Sequence, residues 1–275
     1  MCGATGTRRI HEKVFKERIW HLARCSSCGL HFTDPTPTDE DIAGFYSGDY
    51  HEELLELGAA EREFGGKFER YAAWIVQYVH GGRTLDIGCS TGLLPSMLAA
   101  RGYEAEGVEL NATVARWGSA RYGVTIHTRP FDGSYEEGAY DLISLTDVLE
   151  HTRDPVAFLR LVRRSLKARG HVLVTFPDIS SIESRYLRLA AGVLGRKWIW
   201  HNCHVPLHVW EFTRDTATAC FNRAAFEVAA FRRTQPQEQR QGKFALLSLP
   251  VALATLGPAS RLTGTQMEFM LRRSD

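Results

Sequence analysis

Three groups of residues have types and spacings suited to chemistry. The first is Leu85-Asp86-Ile87-Gly88-Cys89-Ser90-Thr91-Gly92, followed later by Glu109. A short apolar run that ends in a glycine turn and opens a helix brings backbone N–H groups up to a ligand, and a helix N-terminus favours a carboxylate or phosphate there. Glycine is required where a side chain would block that approach. An acid about 20 residues beyond the first glycine is placed to accept both hydroxyls of a ribose, one on each carboxylate oxygen. Two ligand classes use such a turn. A dinucleotide site would want glycines at 88, 90 and 93, whereas this chain has Gly88, Ser90 and Leu93. The spacing present is Gly88-x-x-x-Gly92 with Asp86 ahead of it, which disfavours a nicotinamide-dependent oxidoreductase.

The second group is histidine. His151 closes Asp147-Val148-Leu149-Glu150-His151, and a later stretch holds Trp198, Trp200, His201, Asn202, Cys203, His204, His208 and Trp210. Histidine is the side chain best tuned to take a proton near neutral pH. His151 is the first candidate base, with His204 and His208 behind it. The competing reading makes His151 a cap or bridge of its loop, and clustered His and Cys in a loop are more often incidental than metal-bound. The third group is Cys25-Ser26-Ser27-Cys28, a two-thiolate spacing suited to zinc. The competing reading is free thiols in a small lobe.

The elements that must position these groups alternate. Thr84–Ile87 is a buried-type strand, with a helix over about 92–101. Ala105–Leu110 is the second strand, and Asn111 caps a helix that ends at Gly123. Val124–His127 and Tyr140–Thr146 follow as strands. Asp154-Pro155 opens a helix that runs to about Gly170, and His171–Phe176 is the fifth strand. An insertion covers Asp178 to Phe212, a helix starts at Thr213, and strands Phe226–Arg232 and Gln266–Leu271 close the chain. Strands alternating with helices imply a parallel sheet covered on both faces. Residues 1–33 read as an irregular cysteine-bearing lobe. Residues 34–80 read as a helical cover whose aromatics, Phe64, Phe68, Tyr71, Trp74 and Tyr78 among them, pack on the domain formed by 81–275.

Composition bounds the function. The chain has 275 residues with 33 basic and 32 acidic side chains, a balance that argues against a broad nucleic-acid surface. The arginines at 160, 163, 164 and 169 read as a solvated helix face. The longest apolar run, Phe244 to Leu256, is broken by Pro250 and falls short of the ~20 residues a membrane span needs. With no apolar leader at the N-terminus, a cytoplasmic location is expected, where six cysteines suit metal ligation or core packing rather than disulfides.

Thr84 to Gly92, Val108-Glu109, Tyr140-Asp141-Leu142-Ile143, Asp147 to His151 and Asp154-Pro155 together resemble the class I S-adenosylmethionine-dependent methyltransferases, and within them the ubiquinone-biosynthesis O-methyltransferase subgroup, over roughly residues 80–235. The resemblance implies a doubly wound, seven-stranded Rossmann-like α/β sheet with an antiparallel last strand. It assigns Asp86, Gly88 and Gly92 to the methionine half of the methyl donor, Glu109 to its ribose and Leu110 to its adenine face. Cys89 and Thr146 are counted with them. Ser90 departs from the family's usual glycine. His208-Val209-Trp210-Glu211-Phe212-Thr213 resembles a family segment before a helix over the active site. Some members also carry an N-terminal zinc ribbon, which Cys28-Gly29-Leu30-His31-Phe32-Thr33-Asp34-Pro35 resembles. In that reading Cys2 joins Cys25 and Cys28 as a zinc ligand. The fourth ligand is expected before Met1, or from His11, His21 or His31. The implied activity is methyl transfer to a small-molecule acceptor, at oxygen more than at nitrogen or carbon. A non-catalytic donor-binding module is the second reading.

Overall fold

The computed structural model describes residues 2–45, 52–194, 204–235 and 264–274. The candidate residues Trp198, Trp200, His201, Asn202 and Cys203, and the apolar run from Phe244 to Leu256, lie outside them.

Five strands form the parallel part of the main sheet: β4 (Arg83–Ile87), β5 (Glu104–Val108), β6 (Thr125–His127), β7 (Tyr140–Thr146) and β8 (Leu166–Pro177). Two more, β10 (Phe226–Thr234) and β11 (Gln266–Arg273), complete a seven-stranded sheet in the order β10-β11-β8-β7-β4-β5-β6. β11 runs antiparallel to both of its neighbours. The side chains of the central strands alternate between two cores, as a period-2 strand covered on both faces must. Ile143 and Leu145, Val172 and Val174, and Phe269 and Leu271 enter one core. Leu142, Leu173 and Met270 enter the other.

Helix α3 (Leu93–Ala99) and helix α2 (Ala59–Ile75) cover that second face. Tyr71, Ala72, Trp74 and Ile75 of α2 are buried there, with Phe68 and Tyr78 packed against them. Helix α4 (Ala112–Tyr122) is capped by Asn111, whose Oδ1 accepts from the N–H groups of Thr113 and Val114 (3.0 and 3.2 Å). It stops at Gly123, at φ +70°. Helix α5 (Pro155–Ser165) starts on an Asp154 cap with proline in its first turn. It ends five residues earlier than the glycine signal at 170 suggests. The reason is tertiary: Arg273 of β11 donates to the carbonyls of Arg163 and Leu166 (3.2 and 2.7 Å). That closes the helix end and frees the chain from Leu166 to join β8.

The N-terminal residues are ordered into strands rather than irregular. β1 (Thr7–Phe15), β2 (Arg18–Cys25) and β3 (His31–Asp34) form an antiparallel sheet, followed by the short helix α1 (Asp39–Phe45). The fourth strand of this sheet, β9 (Trp210–Glu211), comes from the far end of the chain. It lies between helix α6 (Ile182–Leu194) and helix α7 (Arg214–Arg223) in sequence. Thr33 is fully buried at this junction. Its N–H donates to the Val209 carbonyl (2.9 Å) and its hydroxyl to the His208 carbonyl (2.6 Å). Among the described residues no helix is long and apolar enough to cross a membrane.

Replacing Thr33 with valine keeps the shape and leaves the His208 carbonyl without that donor. A loss of about 1–3 kcal/mol is expected. Because β9 shares its sheet with β1–β3, urea unfolding should stay a single transition. Separate transitions for the N-terminal sheet and the core would contradict this coupling.

Candidate active site

The chain must reverse between the end of β4 and the start of α3, and residues 88–92 do so at close quarters. Gly88 and Gly92 take φ of +74° and +81°, where an L side chain is strained. A Cβ at Gly88 would stand 2.7 Å from Val148 Cγ2, and one at Gly92 would stand 2.8 Å from Ile126 Cδ1. The N–H groups of Gly88 and Cys89 both reach the Val108 carbonyl (2.8 and 3.0 Å), which ties the turn to β5. Cys89 turns its thiol onto Gly107, and burial raises the thiol's pKa well above its usual value, so this sulfur stays protonated packing. Ser90 sits at φ +49°, which is the physical reason glycine is preferred there, and its hydroxyl is buried with no hydrogen-bond partner among the described residues.

Two acids flank the turn. Asp86 is 2% exposed and accepts from the Ser144 hydroxyl (2.6 Å). Burial pushes its carboxyl up to about 7, against the Ser144 hydrogen bond and with help from the Glu109 charge. Glu109 accepts from the N–H groups of Ser90 (3.1 Å) and Asn111 (2.8 Å), one on each oxygen. Burial raises this acid as well, opposed by those backbone donors. Both oxygens keep a lone pair, so a ribose diol can still be accepted. Leu110 beside it is 64% exposed, and Thr146 is half-buried at the end of β7. A turn that a Cβ would fill, a free buried hydroxyl and two flanking carboxyls suit a ligand that carries an ammonium, a ribose and a flat base. S-adenosylmethionine has those parts.

Beyond β7 lies a second group. His151 Nδ1 is 2.9 Å from the Leu207 carbonyl. A carbonyl only accepts, so Nδ1 carries the proton and the acceptor lone pair of the neutral ring lies on Nε2. Burial, then the His208 charge, lowers this imidazole's pKa to about 3. His208 meets His151 edge-on (4.7 Å between ring centres) and stacks on His204 (4.5 Å). Its Nδ1 stands 3.2 Å from Glu211 Oε1, out of hydrogen-bond alignment. The His208 segment is clamped from both sides: Thr33 holds it from β3, and the Val209 N–H donates to the Glu150 carbonyl (2.9 Å). Glu150 is 1% exposed, and its two carboxyl oxygens meet no donor of another residue among those described. Burial raises its pKa well above the carboxylate range.

Two further residues join here: Lys67, which carries no signal in the sequence, and Glu211, marked there only as part of the segment His208 to Thr213. Lys67 of α2 reaches Asp147 across 80 positions, Nζ to Oδ2 at 2.6 Å. Glu211 of β9 sits with the histidines because β9 joins β3. Nothing in the spacing of a lysine inside a helical cover marks it.

The cysteines do converge. The Cys2 and Cys25 sulfurs are 3.4 Å apart, and those of Cys2, Cys25 and Cys28 lie within 4.8 Å of one another. Thiolates on a tetrahedral zinc stand roughly 3.8 Å apart, so three corners fit. Backbone N–H groups of Cys28 and Ser27 draw the Cys25 thiol down to about 7. Among the described residues, His11, His21 and His31 do not join this group, and the first turn of α7 lies beside it with Asp215. Zinc analysis of protein purified without chelator should give one ion per chain, lost in Cys28→Ser. A zinc-free wild type would remove the metal assignment.

A methyltransferase-domain family model matches residues 45–230. The chain belongs to that family, among the class I S-adenosylmethionine-dependent methyltransferases. The ubiquinone biosynthesis O-methyltransferase of Paraburkholderia xenovorans is 29% identical over 162 residues, 55% of this chain and 68% of that protein. The protein of the same name from Alkalilimnicola ehrlichii is 27% identical over 148 residues, 51% of this chain, and the chain spans only 58% of its length. In fold, the chain is similar to the 1,6-didemethyltoxoflavin-N1-methyltransferase of Burkholderia thailandensis, solved with 1,6-didemethyltoxoflavin and S-adenosylhomocysteine. The TM-score is 0.58 at 13% identity, covering 97% of this chain and 100% of that one.

The donor assignment has a pH signature. With a folded pKa of about 7, Asp86 is protonated in the free protein below neutrality. Its contribution to stability is present below the unfolded value of ~4 and is lost as pH rises through the folded one. A bound ammonium draws it into the ionised form, so S-adenosylhomocysteine affinity should rise between pH 6 and 8 with proton release. Asp86→Asn should flatten that dependence, and Glu109→Ala should weaken binding at every pH. Calorimetry in buffers of different ionisation heat reads both effects. Tight binding of NAD in place of S-adenosylhomocysteine would sink the assignment.

Proposed function

We propose that this enzyme transfers the methyl group of S-adenosylmethionine to an oxygen of a small-molecule acceptor. Asp86, Gly88, Cys89, Gly92, Glu109, Leu110 and Thr146 hold the donor, and His151 acts as general base. The organisation behind this reading is an N-terminal cysteine lobe (1–33), a helical cover (34–80) and a methyltransferase domain (81–275) whose insertion, 178–212, forms the acceptor pocket. The observation that carries it is the His151 tautomer. Nδ1 is pinned to the Leu207 carbonyl (2.9 Å), which leaves Nε2 able to accept a proton. His151 stands three residues after Val148, the side chain that a Cβ at Gly88 would strike, so the base lies close to the donor turn.

The donor, when bound, supplies a methyl group on a sulfonium, and the protein's work is alignment and proton removal. Val148 and Gly88 hold the β7 loop against the turn. Desolvation holds His151 in its neutral form throughout the physiological range, which also makes it a weak base. The names of the curated relatives agree with an oxygen acceptor.

His151→Ala should lower turnover by roughly 10²- to 10⁴-fold with donor affinity nearly unchanged. His208→Ala and His204→Ala are the comparison, since His208 meets His151 edge-on and His204 stacks on His208. Labelled donor with candidate acceptors, read by mass spectrometry, identifies the methylated atom. Near-normal turnover in His151→Ala removes it as base, and a methylated nitrogen or carbon removes the oxygen reading.

A further inference from the structure

Two costs coincide at Ser90. Its backbone is left-handed at φ +49°, a region that a non-glycine residue enters rarely and keeps only where its surroundings enforce it. Its hydroxyl oxygen is buried and has no hydrogen-bond partner among the described residues. A buried hydroxyl left unpaired destabilises the fold that holds it. Glycine at this position would carry neither cost. The polar groups around the turn are engaged with one another. Asp86 accepts from the Ser144 hydroxyl (2.6 Å), and the Gly88 and Cys89 N–H groups donate to the Val108 carbonyl. The two Glu109 oxygens accept from the N–H groups of Ser90 and Asn111. A strained residue with an unpaired hydroxyl, set in the turn that suits the methyl donor, points to a ligand contact.

We propose that Ser90 is a donor-binding residue and that its hydroxyl donates a hydrogen bond to the ribose of S-adenosylmethionine. The backbone sets which part of the donor it meets. The N–H of Ser90 reaches Glu109 Oε2 (3.1 Å). A serine Oγ lies within about 4 Å of its own backbone nitrogen in every rotamer. The hydroxyl is therefore within reach of a ribose held by that carboxylate. Asp86, on the methionine side, turns instead to Ser144 of β7. A ribose hydroxyl that donates to Glu109 keeps its own oxygen lone pairs, and an ionised carboxylate, which only accepts, leaves them unsatisfied. A serine hydroxyl can donate to them. The ribose hydroxyl then donates to Glu109 and accepts from Ser90. One residue thus acts on the diol twice, through the N–H that orients Glu109 and through its own side chain. Serine rather than glycine here strengthens donor binding while it lowers the stability of the free protein, an opposition common at binding sites.

This role for Ser90 rests on the donor-site reading, and the test separates the two. S-adenosylhomocysteine is titrated by calorimetry into the whole chain as wild type, Ser90→Ala, Ser90→Gly and Glu109→Ala, and each protein is also melted without ligand. Ser90→Ala and Ser90→Gly should bind S-adenosylhomocysteine about threefold to twentyfold more weakly, as loss of one buried hydrogen bond to the ligand implies. Without ligand both should melt at the wild-type temperature or up to about 3 °C above it, because the unpaired hydroxyl is gone and, in Ser90→Gly, the backbone strain with it. A serine with only a structural role would lower stability and binding together. Methylthioadenosine keeps the ribose and adenine and lacks the amino-acid half, so it should show the same fold loss. Variants that bind as tightly as wild type, variants that melt lower in step with weaker binding, or a loss seen with S-adenosylhomocysteine and absent with methylthioadenosine would each overturn the assignment. If wild type binds neither ligand, the donor-site reading falls and takes this role with it. If Glu109→Ala weakens binding and the Ser90 variants do not, the donor site stands and the role of Ser90 alone is refuted.

Discussion

The turn between β4 and α3 can exist only where its neighbours carry no Cβ. Gly107 of β5 makes room for the Cys89 thiol, and Gly118 of α4 lies against the Thr91 carbonyl so closely that a methyl group would overlap it. With those approaches allowed, the Gly88 and Cys89 N–H groups share the Val108 carbonyl, and Ser90 comes within reach of the Glu109 carboxylate. Two strands, two helices and two acids are thus set against each other by one tight loop. Backbone dipoles and carboxylates fixed in this way act on a ligand without reorganising.

The second half of the site is held differently. The donor turn is made by consecutive elements of one βαβ unit. The histidine group is assembled from the β7 loop, the insertion, and a strand of the N-terminal sheet. Thr33 and Glu150 grip residues 208 and 209 from opposite sides through backbone hydrogen bonds. His208 is buried, His151 half-buried and His204 exposed, yet desolvation lowers the pKa of all three, while burial raises the acids beside them, Glu150 and Glu211. Asp147 goes the other way, because Lys67 outweighs its burial and draws its pKa below the usual value. Groups pushed in opposite directions within one pocket are the arrangement that divides acid, base and charge-stabilising roles among similar side chains.

Much of this was legible without coordinates. The glycine spacing at 88 and 92, the acid at 109 and the caps at Asn111 and Asp154 are local, because each depends on residues within one turn or one βαβ unit. So is the alternation of strand and helix that implies a sheet covered on both faces. The sequence alone also singled out Cys2, Cys25 and Cys28, whose sulfurs the fold brings together.

What local pattern could not decide is where distant segments meet. The end of α5 moved because Arg273, more than 100 positions away, takes its last carbonyls. The N-terminal strands pair with one another, and their sheet is completed by β9, a two-residue strand with no periodicity to read. Lys67 looks like any lysine of an amphipathic helix until α2 is laid over β7. The sequence by itself determined the donor turn and its class of ligand, since that chemistry is written within about 25 consecutive residues of backbone geometry. Only the tertiary structure decided which histidine has its proton pinned and which lysine pairs with Asp147, because those depend on contacts whose sequence separation leaves no local trace.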